Sequence, residues 1–411
     1  MKHVAIFVFP GFGHVNPTLE MTRCLVAMGH RVTYVLDEPF ADSVTDAGAR
    51  AVTYPSRRGR LGSGAVTGED IGAMGLDHLR ESMEVILPRT LEALADDVPD
   101  LLLYDLESFF TARTAALRWD RPTAQLYPYI ASNEKYSLAL EVFDGATDHV
   151  QQCIDLVAGH LAEEGLDPDA VWTYLRNYDD RNLVLLPRAF QPAGESFDER
   201  FEFVGHSLPA ELPGTGSWQR PATARRCALV TLGTEVNDHR DFFRAAEEAF
   251  AEGGWHAVVA VGRGGLPADP PRGSHLEMHE WVPFHTVLPH VDAVSCHGGI
   301  STMLQALYHG KPMVIIAFTP EEKVNGRRVE ELGIGRTLPG DTLTPAQLRA
   351  TMEEIASDPD IRRQVALLRT HLLAEGGPSR AALVVDRWLR EPPSGPPSWA
   401  PWPVRPTTET P

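Results

Sequence analysis

The sequence predicts an α/β protein made of two doubly wound parallel-sheet domains, and three observations carry that prediction. Apolar β-type runs alternate with helical patterns along most of the chain, a pattern that builds parallel sheets flanked by helices. The alternation is broken once, by the Pro/Gly-rich stretch LPAELPGTGSWQRPATA (208–224), and then restarts. At 411 residues the chain exceeds what one core usually covers, so two domains of roughly 200 residues each are expected.

In the first half the strands are VAIFVF (4–9), RVTYVL (31–36), AVTYP (51–55), PDLLLYD (99–105) and PTAQLYP (122–128). Helices are expected from Pro17 to Met28, near 39–47 and near 108–118. Asn16 suits an N-cap and Pro17 a first helical position, with Met21, Cys24, Leu25 and Met28 on one face and Gly29 ending the helix. In the second half the strands are CALVTLG (227–233), HAVVAVG (256–262), a short run before Trp281, DAVSC (292–296) and KPMVIIA (311–317). Helices are expected from about 240 and about 300, then at 344–357, 359–374 and 379–390. The resulting division is an N-terminal domain over 1–207, a linker over 208–225, a C-terminal domain over 226–378, a final helix over 379–390 that could pack back on the first domain, and a Pro-rich disordered tail over 391–411.

Composition excludes several classes. A net charge of −19 argues against broad attraction to nucleic acid or anionic lipid, and no apolar run approaches the roughly 20 residues a membrane span needs. The four cysteines are scattered without CxxC or zinc spacing. The N-terminus runs from a short apolar segment into a turn without a small-residue cleavage site, so a reduced, cytoplasmic protein without a structural metal is expected.

The candidate chemistry sits where strands end. FPGFGHVNPTLEM (9–21) matches two glycines of a dinucleotide fingerprint, Gly11 and Gly13, but has Asn16 at the third position and Pro17 next, which speaks against a nicotinamide oxidoreductase. His14 instead stands at the carboxyl end of the first strand, where open sheets present ligand-contacting groups. A histidine bonded locally at a helix entrance fits the same position. Asp105, at the end of LLLYD, lies on the same predicted sheet edge, where it could orient His14 as a general base or cap the next helix. In the second half, TLGT (231–234) and CHGGISTMLQAL (296–307) form turns in which Gly298 and Gly299 admit a ligand close to the backbone. There Ser301, Thr302 and the helix-start amides can hold phosphate oxygens, and His297 adds a donor. Trp281 would by itself be read as a core aromatic; its place between phosphate-type turns makes it a platform for a nucleobase.

Together these residues resemble the inverting nucleotide-sugar glycosyltransferases with two Rossmann-like domains facing across a cleft, the GT-B fold, and in particular the macrolide glycosyltransferase family. The resemblance runs through GHVNPTLEMTRCLVAMGHRVTY, DLLLYD, GSWQRP, VTLGT, EWVPFHTVL, HGG…QAL..GKPMV and NGRRVEELGIG. It implies His14 as catalytic base, Asp105 as its partner, Trp281 and Val282 at the base, and Gly233, Thr234, His297, Gly298, Gly299, Ser301 and Thr302 around the diphosphate. It also implies catalysis without a bound metal or cofactor, which agrees with the lack of a DxD-type carboxylate cluster, and an α-linked donor giving a β-glycoside.

Three positions depart from the family pattern: Gln305 stands where many relatives have a ribose-contacting glutamate, Phe284 where a glutamine follows WVP, and Glu321-Glu322 where Asp-Gln contacts hexose hydroxyls. Within the dTDP- or UDP-sugar donors of the family these point to a dTDP-linked deoxysugar, with an amino sugar as one candidate, in the manner of the glycosyltransferases that decorate enediynes such as calicheamicin. The acceptor would be a hydrophobic polyketide or enediyne aglycone contacted by Phe12, Tyr129 and Tyr136, within loops 55–75 and 129–150 that, with the preceding strand end, also bring Arg57, Arg58 and Tyr127; a second copy of the chain is a candidate partner. The competing readings are a sugar-nucleotide 2-epimerase and a non-catalytic self-resistance protein that binds the antibiotic.

Overall fold

A computed structural model gives the structure of residues 1–57, 66–208, 218–233, 239–262, 264–266, 275–391, 393 and 395–401. The first sheet contains β1 (His3–Phe7), β2 (Arg31–Asp37), β3 (Arg50–Tyr54), β4 (Leu101–Tyr104), β5 (Thr123–Tyr127), β6 (Asn182–Val184) and β7 (Phe201–Phe203), in the order β3-β2-β1-β4-β5-β6-β7. The second contains β8 (Arg226–Thr231), β9 (Trp255–Ala260), β10 (Leu276–His279), β11 (Ala293–Cys296), β12 (Met313–Ala317) and β13 (Gly335–Pro339), in the order β10-β9-β8-β11-β12-β13. Every pairing is parallel, and the central strands β1, β4, β8 and β11 are fully buried or nearly so. That burial on both faces explains why these strands read as unbroken apolar runs.

Chain order reverses between β1 and β4 in the first sheet and between β8 and β11 in the second. In register, Phe7 lies beside Tyr104 and Thr231 beside Cys296, so the segments that follow each pair emerge together. Such switch points are where open α/β sheets receive ligands.

The helix after β1 starts earlier than the sequence suggests. It spans Phe12–Ala27 with Gly11 as an extended N-cap, Asn16 is not a cap, and Pro17 lies inside it. The Gly11 carbonyl accepts the N–H groups of His14 and Val15, both at 3.0 Å, so the first turn closes before the proline. At its position Pro17 forfeits only the bond to the Gly13 carbonyl. His14 therefore sits within the first helical turn.

The Gly377–Arg390 helix packs on the Phe12–Ala27 helix, burying Ala381, Val384, Val385 and Trp388 in the first domain's core. The expected disordered tail needs correction over 395–401. Trp399 is completely buried, its Nε1 donates to Asp179 Oδ2 at 3.0 Å and Thr123 Oγ1 at 3.2 Å, and the Arg113 guanidinium lies 5.0 Å from its ring. Prolines exclude helix and ladder but not an extended segment that buries one large aromatic with its N–H satisfied.

Hydrogen bonds also tie the two domains together. Arg328, in the helix Pro320–Glu331, donates to the carbonyls of Phe190, Ala189 and Gln191 at 2.7, 3.1 and 3.2 Å, and the Val66 N–H reaches the Phe318 carbonyl at 3.1 Å.

Candidate active site

Asp105 is the fixed point of the first switch. It is completely buried; its Oδ1 accepts the Ser108 N–H at 3.0 Å, capping the short turn Leu106–Ser108, and its Oδ2 accepts the Phe9 N–H at 2.7 Å. The same Oδ2 lies 2.8 Å from His14 Nδ1. Capping and orienting, two alternatives in the sequence, are thus both roles of this carboxylate. With Nδ1–H donated to Asp105, the imidazole presents Nε2, and its side chain is 20% exposed, enough for one edge to meet a substrate.

The surroundings of His14 are aromatic and acidic. The rings of Phe9 and Tyr129 lie 5.2 and 5.4 Å from its own. Glu107 Oε2 is 3.9 Å from Nδ1 and accepts the Tyr129 hydroxyl at 2.8 Å. Burial disfavours the imidazolium, but the hydrogen bond to Asp105 and the charges of Glu107, Asp105 and Glu321 outweigh it and push His14 up to about 9. Glu321 contributes from the other domain, in the first turn of the Pro320–Glu331 helix. Burial raises the carboxyls of both Glu107 and Glu321, and the His14 charge opposes the rise in each.

Glu107 is the residue that sequence reasoning missed. Asp105-x-Glu107 sets a second carboxylate beside the imidazole: side-chain atoms of His14, Asp105 and Glu107 fall within 4.8 Å of one another. Asp105 spends its inward oxygen on the imidazole Nδ1 and the Phe9 amide, an arrangement suited to sharing a proton.

The second switch is built of glycine. Gly233 (φ +74°) follows β8, and Gly298 (φ +96°) follows β11 in a backbone region that side chains rarely adopt. The His297 ring is lodged between Gly233 and Gly299: a Cβ on the first would stand 2.5 Å from His297 Cε1, and on the second 2.4 Å from Nε2. Burial alone pushes His297 down to about 4, which leaves it neutral, and its buried Nδ1 has no hydrogen-bond partner among the described residues. Gly299 caps the helix Ile300–Tyr308, whose first turn carries Ser301 and Thr302 and whose next turn carries the half-buried Gln305. Asn325 Nδ2 donates to the Gly298 carbonyl at 2.8 Å and so ties this turn to the Pro320–Glu331 helix.

The remaining expected site residues divide clearly. Trp281 is 72% exposed beyond β10, as a stacking platform must be, whereas Val282 is buried in the core and has only backbone to offer. Of the two glutamates, Glu322 is committed to a capping box: its Oε2 accepts the N–H groups of Phe318 and Thr319 at 2.7 and 3.0 Å, and burial pushes it up to about 8 against the pull of those amides. Glu321 takes no part in that box, and its charge acts on His14.

Phe12 is exposed, edge-on to Phe40. Tyr129 is buried with its hydroxyl engaged, and so forms a wall of the His14 site. Tyr136 is half-buried against the core cluster that continues into the second domain, Tyr127 is core, and Arg57 pairs with Glu84 at the surface. Thr234, Arg58 and residues 209–217 of the linker lie outside the described residues.

Two parallel-sheet domains meeting at a histidine–aspartate switch and a glycine switch define a GT-B glycosyltransferase. The comparisons agree. Residues 271–386 match the family model "Erythromycin biosynthesis protein CIII-like, C-terminal domain". The chain is 37% identical to the demethyllactenocin mycarosyltransferase of Streptomyces fradiae over 95% of its length and 87% of that protein, and 32% identical to the oleandomycin glycosyltransferase of Streptomyces antibioticus over 94% and 91%. It superposes on CalG4, the calicheamicin glycosyltransferase, with a TM-score of 0.83 at 36% identity, covering 95% of this chain and 99% of that one. The chain belongs to the macrolide glycosyltransferase family. Among the described residues no helix is long and apolar enough to cross a membrane.

Proposed function

We propose that the chain transfers a deoxysugar, an aminodeoxysugar being the cationic variant, from a dTDP-linked donor to a hydroxyl of a polyketide- or enediyne-type aglycone, with inversion and without metal or cofactor, in antibiotic biosynthesis in the cytoplasm. The observation that carries the reading is the 2.8 Å contact between His14 Nδ1 and Asp105 Oδ2 at one switch point, with Glu321 facing it from the other domain.

His14 Nε2 takes the proton of the acceptor hydroxyl as that oxygen attacks the anomeric carbon. The bond from that carbon to the diphosphate oxygen breaks on the opposite face, so configuration inverts. Asp105 holds the ring and balances the imidazolium that forms. The leaving diphosphate meets the first-turn amides of the Ile300–Tyr308 helix, the hydroxyls of Ser301 and Thr302, and an N–H of neutral His297. Trp281 stacks on the base; Gln305, a neutral amide, suits a ribose without a 2′-hydroxyl; Glu321 faces the sugar and Phe12 the aglycone. A homodimer is compatible with this scheme and contributes nothing to it.

Mass spectrometry of reactions pairing dTDP- and UDP-sugars with polyketide aglycones tests the reading. A glycoside formed from dTDP-deoxysugars supports it. Tighter binding and faster transfer of UDP-glucose would overturn the donor class, and conversion of the donor without acceptor would identify an epimerase.

A further inference from the structure

Glu107 stands two residues beyond Asp105, on the turn that Asp105 caps. Its Oε2 accepts the Tyr129 hydroxyl at 2.8 Å, and that hydroxyl in turn accepts the Leu106 N–H at 3.1 Å. Tyr129 is buried, with its ring edge-on to the imidazole, so the phenol fixes where the carboxylate stands beside His14. At 3.9 Å from Nδ1, Glu107 is too distant for a hydrogen bond and acts through charge. An acid anchored by a tyrosine, beside a histidine that already has its aspartate, is not needed to hold the ring.

We propose that Glu107 is a positioning residue of the transfer reaction: anchored by Tyr129, its charge sets the pH range in which His14 is free to accept the acceptor's proton. This rests on His14 being the general base. Among the described residues the other groups facing the imidazole are Asp105 from the turn after β4, Glu321 from the Pro320–Glu331 helix and the rings of Phe9 and Tyr129. Beyond Phe9 lies His78, 3.6 Å from Glu81. The Ile300–Tyr308 helix, which touches the His14 helix, carries no charged side chain. Glu107, like Glu321, can lose its charge without loss of a bond to the ring, and unlike Glu321 it shares the turn that Asp105 caps. Its removal withdraws support from the imidazolium, so His14 releases its proton at lower pH.

The test pairs two readouts on the full chain: the His14 imidazole titration by NMR, assigned with His14→Gln, and the pH dependence of kcat/KM. In Glu107→Gln the titration midpoint falls by about one pH unit. The acidic limb of the rate profile falls with it, so that below the wild-type limb the variant is faster than wild type by up to roughly tenfold. Glu107→Asp keeps the wild-type midpoint more closely than Glu107→Gln does. A folded Glu107→Gln with an unmoved midpoint overturns the proposal, as does an equal loss of rate at every pH. A midpoint that moves while the rate limb stays put upholds Glu107's effect on His14 and defeats His14 as the base. If Glu107→Gln does not fold, Tyr129→Phe serves in its place: it keeps the charge but frees the carboxylate, and an unmoved midpoint there overturns the proposal.

Discussion

The two switch points are the same place in the same fold, and their histidines are in opposite states. At the first, His14 stands among Asp105, Glu107 and Glu321 and is pushed up to about 9; at the second, His297 stands between two glycines and is pushed down to about 4. Both rings are substantially buried, and burial lowers both. What separates them is the company of carboxylates. Parallel sheets that differ at a handful of loop positions can thus hold one histidine charged and the other neutral, which is what the proposed split between proton transfer and diphosphate binding requires.

Charge state also sets a pH dependence. Because His14 is held protonated below about 9, it becomes a base only as pH rises toward that value, so kcat/KM should climb from pH 7 to 9. His297 stays neutral throughout that range and adds no limb of its own. A flat profile across pH 7–9 would contradict the assignment of His14.

The comparison can be broken or sharpened by mutation, in descending order of effect on turnover. His14→Ala should lower kcat by roughly 10²–10⁴-fold while leaving dTDP binding intact, measured by calorimetry alongside the rate. Gly299→Ala drives a methyl to 2.4 Å from His297 Nε2; it should weaken dTDP binding and leave the His14 pH limb where it is. Trp281→Ala should cost about 1–3 kcal/mol of nucleotide affinity, seen in donor KM more than in kcat. Trp399→Ala, remote from both switches, should leave kcat unchanged and destabilise the fold by about 3–5 kcal/mol in chemical denaturation.

The two switches were not equally legible in the sequence. His14, Asp105, His297 and the glycine pair stand at the ends of apolar runs, and a run ending in a chemically distinctive residue marks a strand end without help from tertiary structure. Glu107 carries no comparable signal, because its place beside His14 depends on Tyr129, which arrives from a different strand end. The helix start lies earlier than the sequence suggests because Asn16-Pro17 is a strong local cap signal, yet an extended Gly11 supplies the cap. Glu322, expected at the sugar, is instead a cap, and Thr319-x-x-Glu322 is a capping box by spacing alone. The strands β6, β7 and β13 are short or partly exposed and carry too little pattern to stand out. The tail failed for another reason: composition averages over prolines and misses one tryptophan that finds Asp179 and Arg113.

The most direct test of the central claim is a single NMR titration of the histidine imidazoles, with His14→Gln and His297→Gln providing the assignments. His14 should titrate near 9 and His297 should remain neutral down to about 4. Two midpoints lying together near the ordinary value of about 6.5 would show that the switches do not differ in charge, and the division of labour between them would fall.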